Sequence, residues 1–179
     1  HRFFISNLDK VEEGSIVICD ENLIHQFTKV LRFRVGEKII VLDNSGCEFE
    51  IELGEQMAEK RPKQIVCKIL EKRSCQTELS VRIILAQAVL KNFERFEWVL
   101  QKGTELGVSE FVPLITERTE RKFLGKAERM ERILKEAAEQ SGREVLPVLR
   151  EECQLEDVLR DSSSGRLVIL PHPGVKKSF

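Results

Sequence analysis

Arg73-Ser74-Cys75-Gln76-Thr77, followed shortly by Val81-Arg82-Ile83-Ile84-Leu85-Ala86, is where the sequence changes its period. Upstream lie short β-rich segments at residues 3–5, 15–18, 38–42, 48–53 and 64–70, punctuated by turn residues. Asp43-Asn44-Ser45-Gly46 joins two of them as a hairpin, because Asn and Gly tolerate positive φ. One helix over residues 23–33, with Phe27, Val30 and Leu31 on one side, interrupts the series. The pattern predicts a small, partly closed β-barrel over residues 1–73.

Downstream, the apolar run at 81–86 has no alternation and predicts a strand buried on both faces. Residues 72–79 form the expected linker. A helix then starts near Asn92, a good cap, and carries Phe93, Phe96, Leu100, Gly103 and Leu106 at helical spacing before Gly107 ends it. A strand at 110–115 follows. A helix at 126–141 places Met130, Ile133, Leu134 and Ala137 on one face and stops at Gly142. Residues 147–149 predict a short strand, 155–159 a brief helix and 166–170 another buried strand. Such alternation implies an α/β fold over residues 77–179, a parallel sheet with right-handed crossovers.

The 179 residues are 41% apolar and 33% charged, which excludes disorder and collagen-like structure. No apolar run approaches the ~20 residues that cross a bilayer, and the amino terminus lacks a signal-peptide layout, so a cytoplasmic protein without membrane attachment is expected. Five cysteines form no Cys-x-x-Cys pair and share no ligand spacing with the three histidines. Reduced thiols and no metal site are expected. A net charge of -1 argues against a uniformly basic nucleic-acid binder and shifts attention to where the cations lie.

Dinucleotide, phosphate-loop and nucleophile-elbow motifs are missing from the sequence, and scattered histidines make a nucleophile-and-base pair a poor fit. What remains is a chemistry of arginines and lysines. The stretch from Thr116 to Arg132 is either the solvated face of a loop and helix or a ligand rim. Arg118 and Arg121 stand out because they follow the strand end Pro113-Leu114-Ile115, where open α/β sheets place ligands. His25, Lys29 and Arg32 are three or four residues apart and can share a helix face, either as phosphate contacts or as ordinary exposed surface.

Ordered matches along the chain carry a family resemblance. They are His1-Arg2-Phe3-Phe4; His25 with Val30-Leu31-Arg32 and Gly36; Gln101-Lys102-Gly103-Thr104-Glu105-Leu106-Gly107-Val108; Pro113 with Glu117-Arg118; and Glu136-Ala137-Ala138-Glu139-Gln140-Ser141-Gly142-Arg143 with Pro147. With them the sequence resembles the RsmE family, bacterial enzymes of the SPOUT superfamily that methylate N3 of a uridine in 16S (small-subunit) ribosomal RNA.

The resemblance implies a PUA-like amino-terminal barrel that grips RNA, a SPOUT methyltransferase domain, S-adenosylmethionine as methyl donor, no metal, and a homodimer. It makes Arg2, His25, Lys29, Arg32 and Arg121 candidate RNA contacts, and Arg118 and Arg143 candidates for the uridine pocket. Leu170, Pro171 and His172 fall where the first cofactor-lining loop would begin. The family's Gly-Pro-Glu-Gly-Gly loop and closing Leu-Gly-x-x-Ile-Leu-Arg-x-Glu-Thr-Ala segment do not occur up to Phe179, so a parent protein continuing beyond that residue is expected. An alternative from another class is a noncatalytic RNA-binding or ribosome-assembly protein, in which the second half only dimerises.

Overall fold

The computed structural model describes residues 1–5, 11–12, 14–74, 77–120, 127–161 and 166–171. Its first sheet contains β1 (Arg2–Phe4), β2 (Val11–Glu12), β3 (Ser15–Ile18), β4 (Lys38–Leu42), β5 (Cys47–Leu53) and β6 (Ile65–Ser74). Their spatial order is β1-β4-β5-β6-β3-β2, with β1 parallel to β4 and the other pairs antiparallel. The sequence of β5 shows why one face is core. Phe49, Ile51 and Leu53 alternate inward with Glu48, Glu50 and Glu52 outward. A register shift between Glu50 and Ile51 bends the strand, and the curled sheet closes over Phe3, Ile16, Phe27, Ile39 and Ile65. Among the described residues no pairing joins the two edges, β1 and β2.

β6 extends beyond the expected strand end and through the first part of the expected linker. The reason is electrostatic as well as hydrogen-bonded. Arg73 lies opposite Glu48 and reaches its carboxylate at 3.5 Å and that of Glu50 at 3.3 Å. The expected hairpin turn is present, with Asn44 at φ 63° and Gly46 at φ 84°.

The single helix expected over 23–33 is replaced by two shorter turns. Asp20 caps α1 (Glu21–His25) by accepting from the N–H of Asn22 and Leu23 at 2.8 and 3.1 Å. The chain then widens into a π-helical turn, Gln26–Val30. That wider turn keeps Phe27 buried but rotates Val30 outward to 64% exposure, so Val30 does not join the core as its spacing predicts. Arg32 follows with φ 56°, a left-handed conformation uncommon outside glycine.

The second sheet is β7 (Ile84–Ala88), β8 (Glu110–Leu114) and β9 (Val148–Leu149), all parallel and in that order. α2 (Phe93–Glu105) links the first two strands, α3 (Ala127–Ser141) precedes β9, and α4 (Leu155–Asp161) follows it. Burial on both faces belongs to the central strand β8, whose five residues are all buried; β7 is half-buried throughout. β7 also starts three residues later than expected, because Val81 is exposed and Arg82 turns to the Glu110 carboxylate.

α2 and α3 pack together on one face of this sheet through Phe96, Leu100, Phe111, Met130 and Leu134. Gly103 permits the approach: a Cβ there would lie 2.6 Å from Phe111 Cε1. Asn92 accepts from the N–H of Arg95 as the expected cap, and Gly107 at φ 92° turns the chain out of α2. Leu106 is a correction to the apolar stripe. It sits past the last helical residue and is 77% exposed.

Residues 166–170 are a second correction, since among the described residues they pair with no strand and every one of them is exposed. Apolar composition alone does not make a buried parallel strand; it needs a hydrogen-bonded neighbour and cover on both faces. Here α2 and α3 cover one face only.

The two sheets meet along α3. Phe4, Leu42, Ala138 and Leu146 form the apolar contact, the Phe4 N–H donates to Glu139 Oε1 at 2.8 Å, and the Leu146 N–H donates to Asn44 Oδ1 at 2.6 Å. Cys19, Cys47, Cys67 and Cys153 carry free thiols. Among the described residues no helix is long and apolar enough to cross a membrane, and no three potential metal ligands cluster.

Candidate functional site

The carboxyl end of β8 runs into a turn that the threonines close. The Thr116 N–H donates to Thr119 Oγ1 at 2.9 Å, the two hydroxyls lie 2.9 Å apart, and the Thr119 N–H returns to Thr116 O at 3.0 Å. These bonds bury Thr119 and leave Glu117 and Arg118 exposed at the tip. Lys91, just beyond the end of β7, pairs with Glu120 at 2.7 Å and ties the two adjacent strand ends together. Arg118 therefore stands on a hydrogen-bonded turn at the rim where parallel sheets bind ligands.

The sheet face opposite α2 and α3 opens into a cleft of about 940 Å³, floored by Ile84, Ala86, Val112 and Leu114 and flanked by Leu155 and Val158 of α4. At its amino-terminal end the Glu110 carboxylate is fully buried between the guanidinium groups of Arg82 and Arg150. Two cations offset the cost of taking one carboxylate out of water.

Arg143 is nowhere near this rim in its bonding. Its side chain is buried, and it holds the Glu78 carboxylate through Nε at 3.3 Å and Nη2 at 2.6 Å. Nη1 donates to the carbonyls of Val108 and Thr104. Glu78 Oε1 also accepts from the N–H of Glu144 and Val145 at 3.0 and 3.2 Å. Burial pushes the Glu78 carboxyl up, but the hydrogen bonds from Arg143 and these backbone groups, with the Arg143 charge, outweigh it and leave the group below its ordinary range. Arg143 thus clamps the 77–78 segment, the end of α2 and the loop before β9 to one another.

The described candidate RNA contacts sit on different elements. Arg2 is half-buried and pairs with Glu48 at 2.8 Å, with Glu144 at 3.7 Å, at the joint between the sheets. His25 and Lys29 are exposed on α1 and the π-helical turn, and Lys29 Nζ donates to Lys60 O at 3.4 Å. Arg32 is exposed but left the helix with its positive φ, so the shared helix face expected from spacing is not formed. Arg121 and His172 lie outside the described residues. Leu170 and Pro171 are exposed and belong to no strand. Both line the cleft of about 940 Å³ on the open face of the second sheet, together with Ile84, Ala86 and Val112.

Sequence reasoning missed Glu78, Glu110 and Glu139. Glu110 had a usable signal, an acid opening an otherwise apolar strand. Glu78 had none, since its partner is 65 residues away, and Glu139 stood only within a family motif, its partner Phe4 lying 135 residues away.

A parallel sheet with helices on one face and an exposed cation on a braced turn at a strand's carboxyl end is the architecture of an α/β domain with a candidate ligand rim. A family model described as RNA methyltransferase domain matches residues 77–179, and the chain belongs to that family. The chain is 32% identical over 152 residues to Ribosomal RNA small subunit methyltransferase E of Bacillus subtilis, covering 82% of this chain and 57% of that protein. It is 36% identical over 140 residues to the protein of the same name from Synechocystis, covering 78% of this chain and 44% of the relative. The chain thus spans about half the length of these curated relatives.

Solved structures agree. A putative methyltransferase from Legionella pneumophila with bound cofactor SAM superposes with a TM-score of 0.83 at 28% identity, covering 98% of this chain and 72% of that one. Ribosomal RNA small subunit methyltransferase E from Neisseria gonorrhoeae, bound to S-adenosyl methionine, gives 0.77 at 26% identity, covering 91% and 65%.

Proposed function

We propose that the full-length protein transfers a methyl group from S-adenosylmethionine to N3 of a uridine in 16S small-subunit ribosomal RNA. The family match and the names of the relatives support the class of reaction. The observation that carries the assignment to this chain is Arg118, exposed on the threonine-braced turn at the carboxyl end of β8. Residues 1–73 act as the PUA-like barrel that grips RNA and residues 77–179 as the SPOUT-type domain, in a cytoplasmic homodimer without a metal.

Methylation at N3 would form the N3–carbon bond as the donor's sulfur–methyl bond breaks to release S-adenosylhomocysteine, with the imide proton passing to bulk water. Negative charge then spreads onto O2 and O4, and a guanidinium placed beside either oxygen stabilises it. Arg118 is the group for that task, and Arg143 serves as a positioning residue through its clamp. Arg121, His25, Lys29, Arg32 and Arg2 supply phosphate contacts. Replacing Lys29 or Arg32 by alanine reduces the slope of log affinity against log salt by about 1 if each meets a phosphate.

Losing one preorganised donor costs on the order of 3 to 4 kcal/mol in the transition state. The full-length Arg118→Ala variant is therefore expected to methylate ribosomal subunits at least a hundredfold more slowly, and near-native turnover would remove Arg118 from the chemistry. A noncatalytic RNA-binding or assembly role is the second reading, for which the exposed cations His25, Lys29 and Arg32 of the first half would suffice. Calorimetric titration of the full-length protein with S-adenosylmethionine separates the two: an enzyme gives a saturating binding isotherm, a binding module gives none.

A further inference from the structure

A second cavity, of about 430 Å³, lies between the two sheets, away from the rim that carries Arg118. Its seven lining residues include Gln26 of the π-helical turn, Gln101 of α2, and Ile133, Glu136, Glu139 and Gln140 of α3. That volume falls within the range of small-ligand sites, and five of the seven side chains carry hydrogen-bonding groups. Glu139 spends one oxygen on the Phe4 N–H, while Glu136, Gln101 and Gln140 are exposed to the groove.

Polar side chains on exposed helix faces are commonly just solvated surface. Two features set this groove apart. The element that delivers Gln26 is π-helical, and two residues beyond its end Arg32 adopts φ 56°, local distortions that cost stability and that cluster at functional sites. Trp98, the only tryptophan, is 61% exposed on α2 one helical turn before Gln101, outside the cavity's lining but within the same helix. Exposed indoles stack on bases.

The donor set discriminates among bases. A carboxylate only accepts hydrogen bonds, so it suits an edge with adjacent donors, and a carboxamide N–H then meets a neighbouring carbonyl. Guanine offers N1–H and the N2 amino group side by side with O6 next to them. Uracil places two carbonyls around one N–H and would set acceptor against acceptor. We propose that this cavity is a base-recognition subsite for an unpaired guanine of the RNA, with Glu136 accepting from N1 and N2 and the carboxamides of Gln101 and Gln140 meeting O6. His25 and Lys29, on the elements that carry Gln26, supply cations for the adjoining phosphates. The subsite rests on the RNA-methyltransferase assignment and adds a second point of sequence selection to it.

The test uses this chain and dye-labelled single-stranded hexanucleotides in fluorescence anisotropy, one with a single guanosine among uridines and one with inosine at that position. Inosine lacks only the N2 amino group. Guanosine RNA is expected to bind about tenfold more tightly than inosine RNA, and Glu136→Gln to reduce that preference to about twofold or less. Lys29→Ala should weaken both RNAs alike. Glu136 is a surface helix residue, so an unchanged urea midpoint verifies that the variant is folded. Equal affinity for the two RNAs, or a preference that survives Glu136→Gln, overturns the subsite alone. Failure to bind either RNA overturns both the subsite and the RNA-binding reading of the chain.

Discussion

Arg143→Ala tests the clamp that holds the second sheet's connections together. The side chain is 7% exposed and reaches the Glu78 carboxylate twice and two backbone carbonyls, so truncation strands four acceptor contacts at once. Breaking a fully buried pair by removing one partner costs 3 to 5 kcal/mol. Glu78 is 29% exposed and keeps the N–H groups of Glu144 and Val145, which places this case at the lower end, about 3 kcal/mol. Arg143→Lys keeps a charge but loses the two-pronged geometry and is expected to cost about half as much. Urea denaturation followed by circular dichroism measures both. A midpoint for Arg143→Ala within about 1 kcal/mol of the parent would refute the clamp.

Acid should loosen the same clamp: the folded Glu78 carboxyl is held below its unfolded range, so its contribution is complete above that range and is lost as pH falls through the folded value. Urea midpoints of the parent should therefore drop on that acidic limb, and Arg143→Ala should flatten it. Glu139 behaves oppositely, because burial raises its carboxyl more than the Phe4 N–H and Lys135 lower it, with Glu136 adding to the rise. Its contribution falls as pH rises through the folded value, so Glu139→Gln, which keeps the acceptor, should be more stable than the parent at neutral pH in the same assay. Gly103→Ala gains up to about 1 kcal/mol of helix propensity but drives a methyl into Phe111, and a net loss of about 1 to 2 kcal/mol is expected by thermal melting. Burial pushes the Cys67 thiol up to about 12, so a maleimide at neutral pH should label the exposed Cys19 and leave Cys67 unmodified in mass spectra of the folded protein.

Local signals carried most of the fold. The two-residue period of β5, the Asn92 cap, the glycines at 107 and 142 and the apolar spacing of α2 and α3 each specify structure within a few residues, so sequence reasoning found them. It failed where distant partners decide. Val30 left the core because a π-helical turn changed the spacing, and β7 shifted because Arg82 is drawn to Glu110, 28 residues on. Residues 166–170 have a strand's composition but, among the described residues, no strand paired with them. The site shows the same division: Arg118 was legible from its place after a strand, whereas Arg143 needed its partner Glu78, 65 residues away, to be recognised as a clamp. Glu136, Gln101 and Gln26 come from three separate elements, and no spacing in the sequence links them.

The central claim is methyl transfer to a uridine base. Incubating small ribosomal subunits with the full-length protein and S-adenosylmethionine labelled at the methyl carbon, then digesting the RNA to nucleosides for mass spectrometry, tests it most directly. Label is expected in N3-methyluridine, at a level that collapses with Arg118→Ala. Label on ribose, or no label in ribosomal RNA, would contradict it.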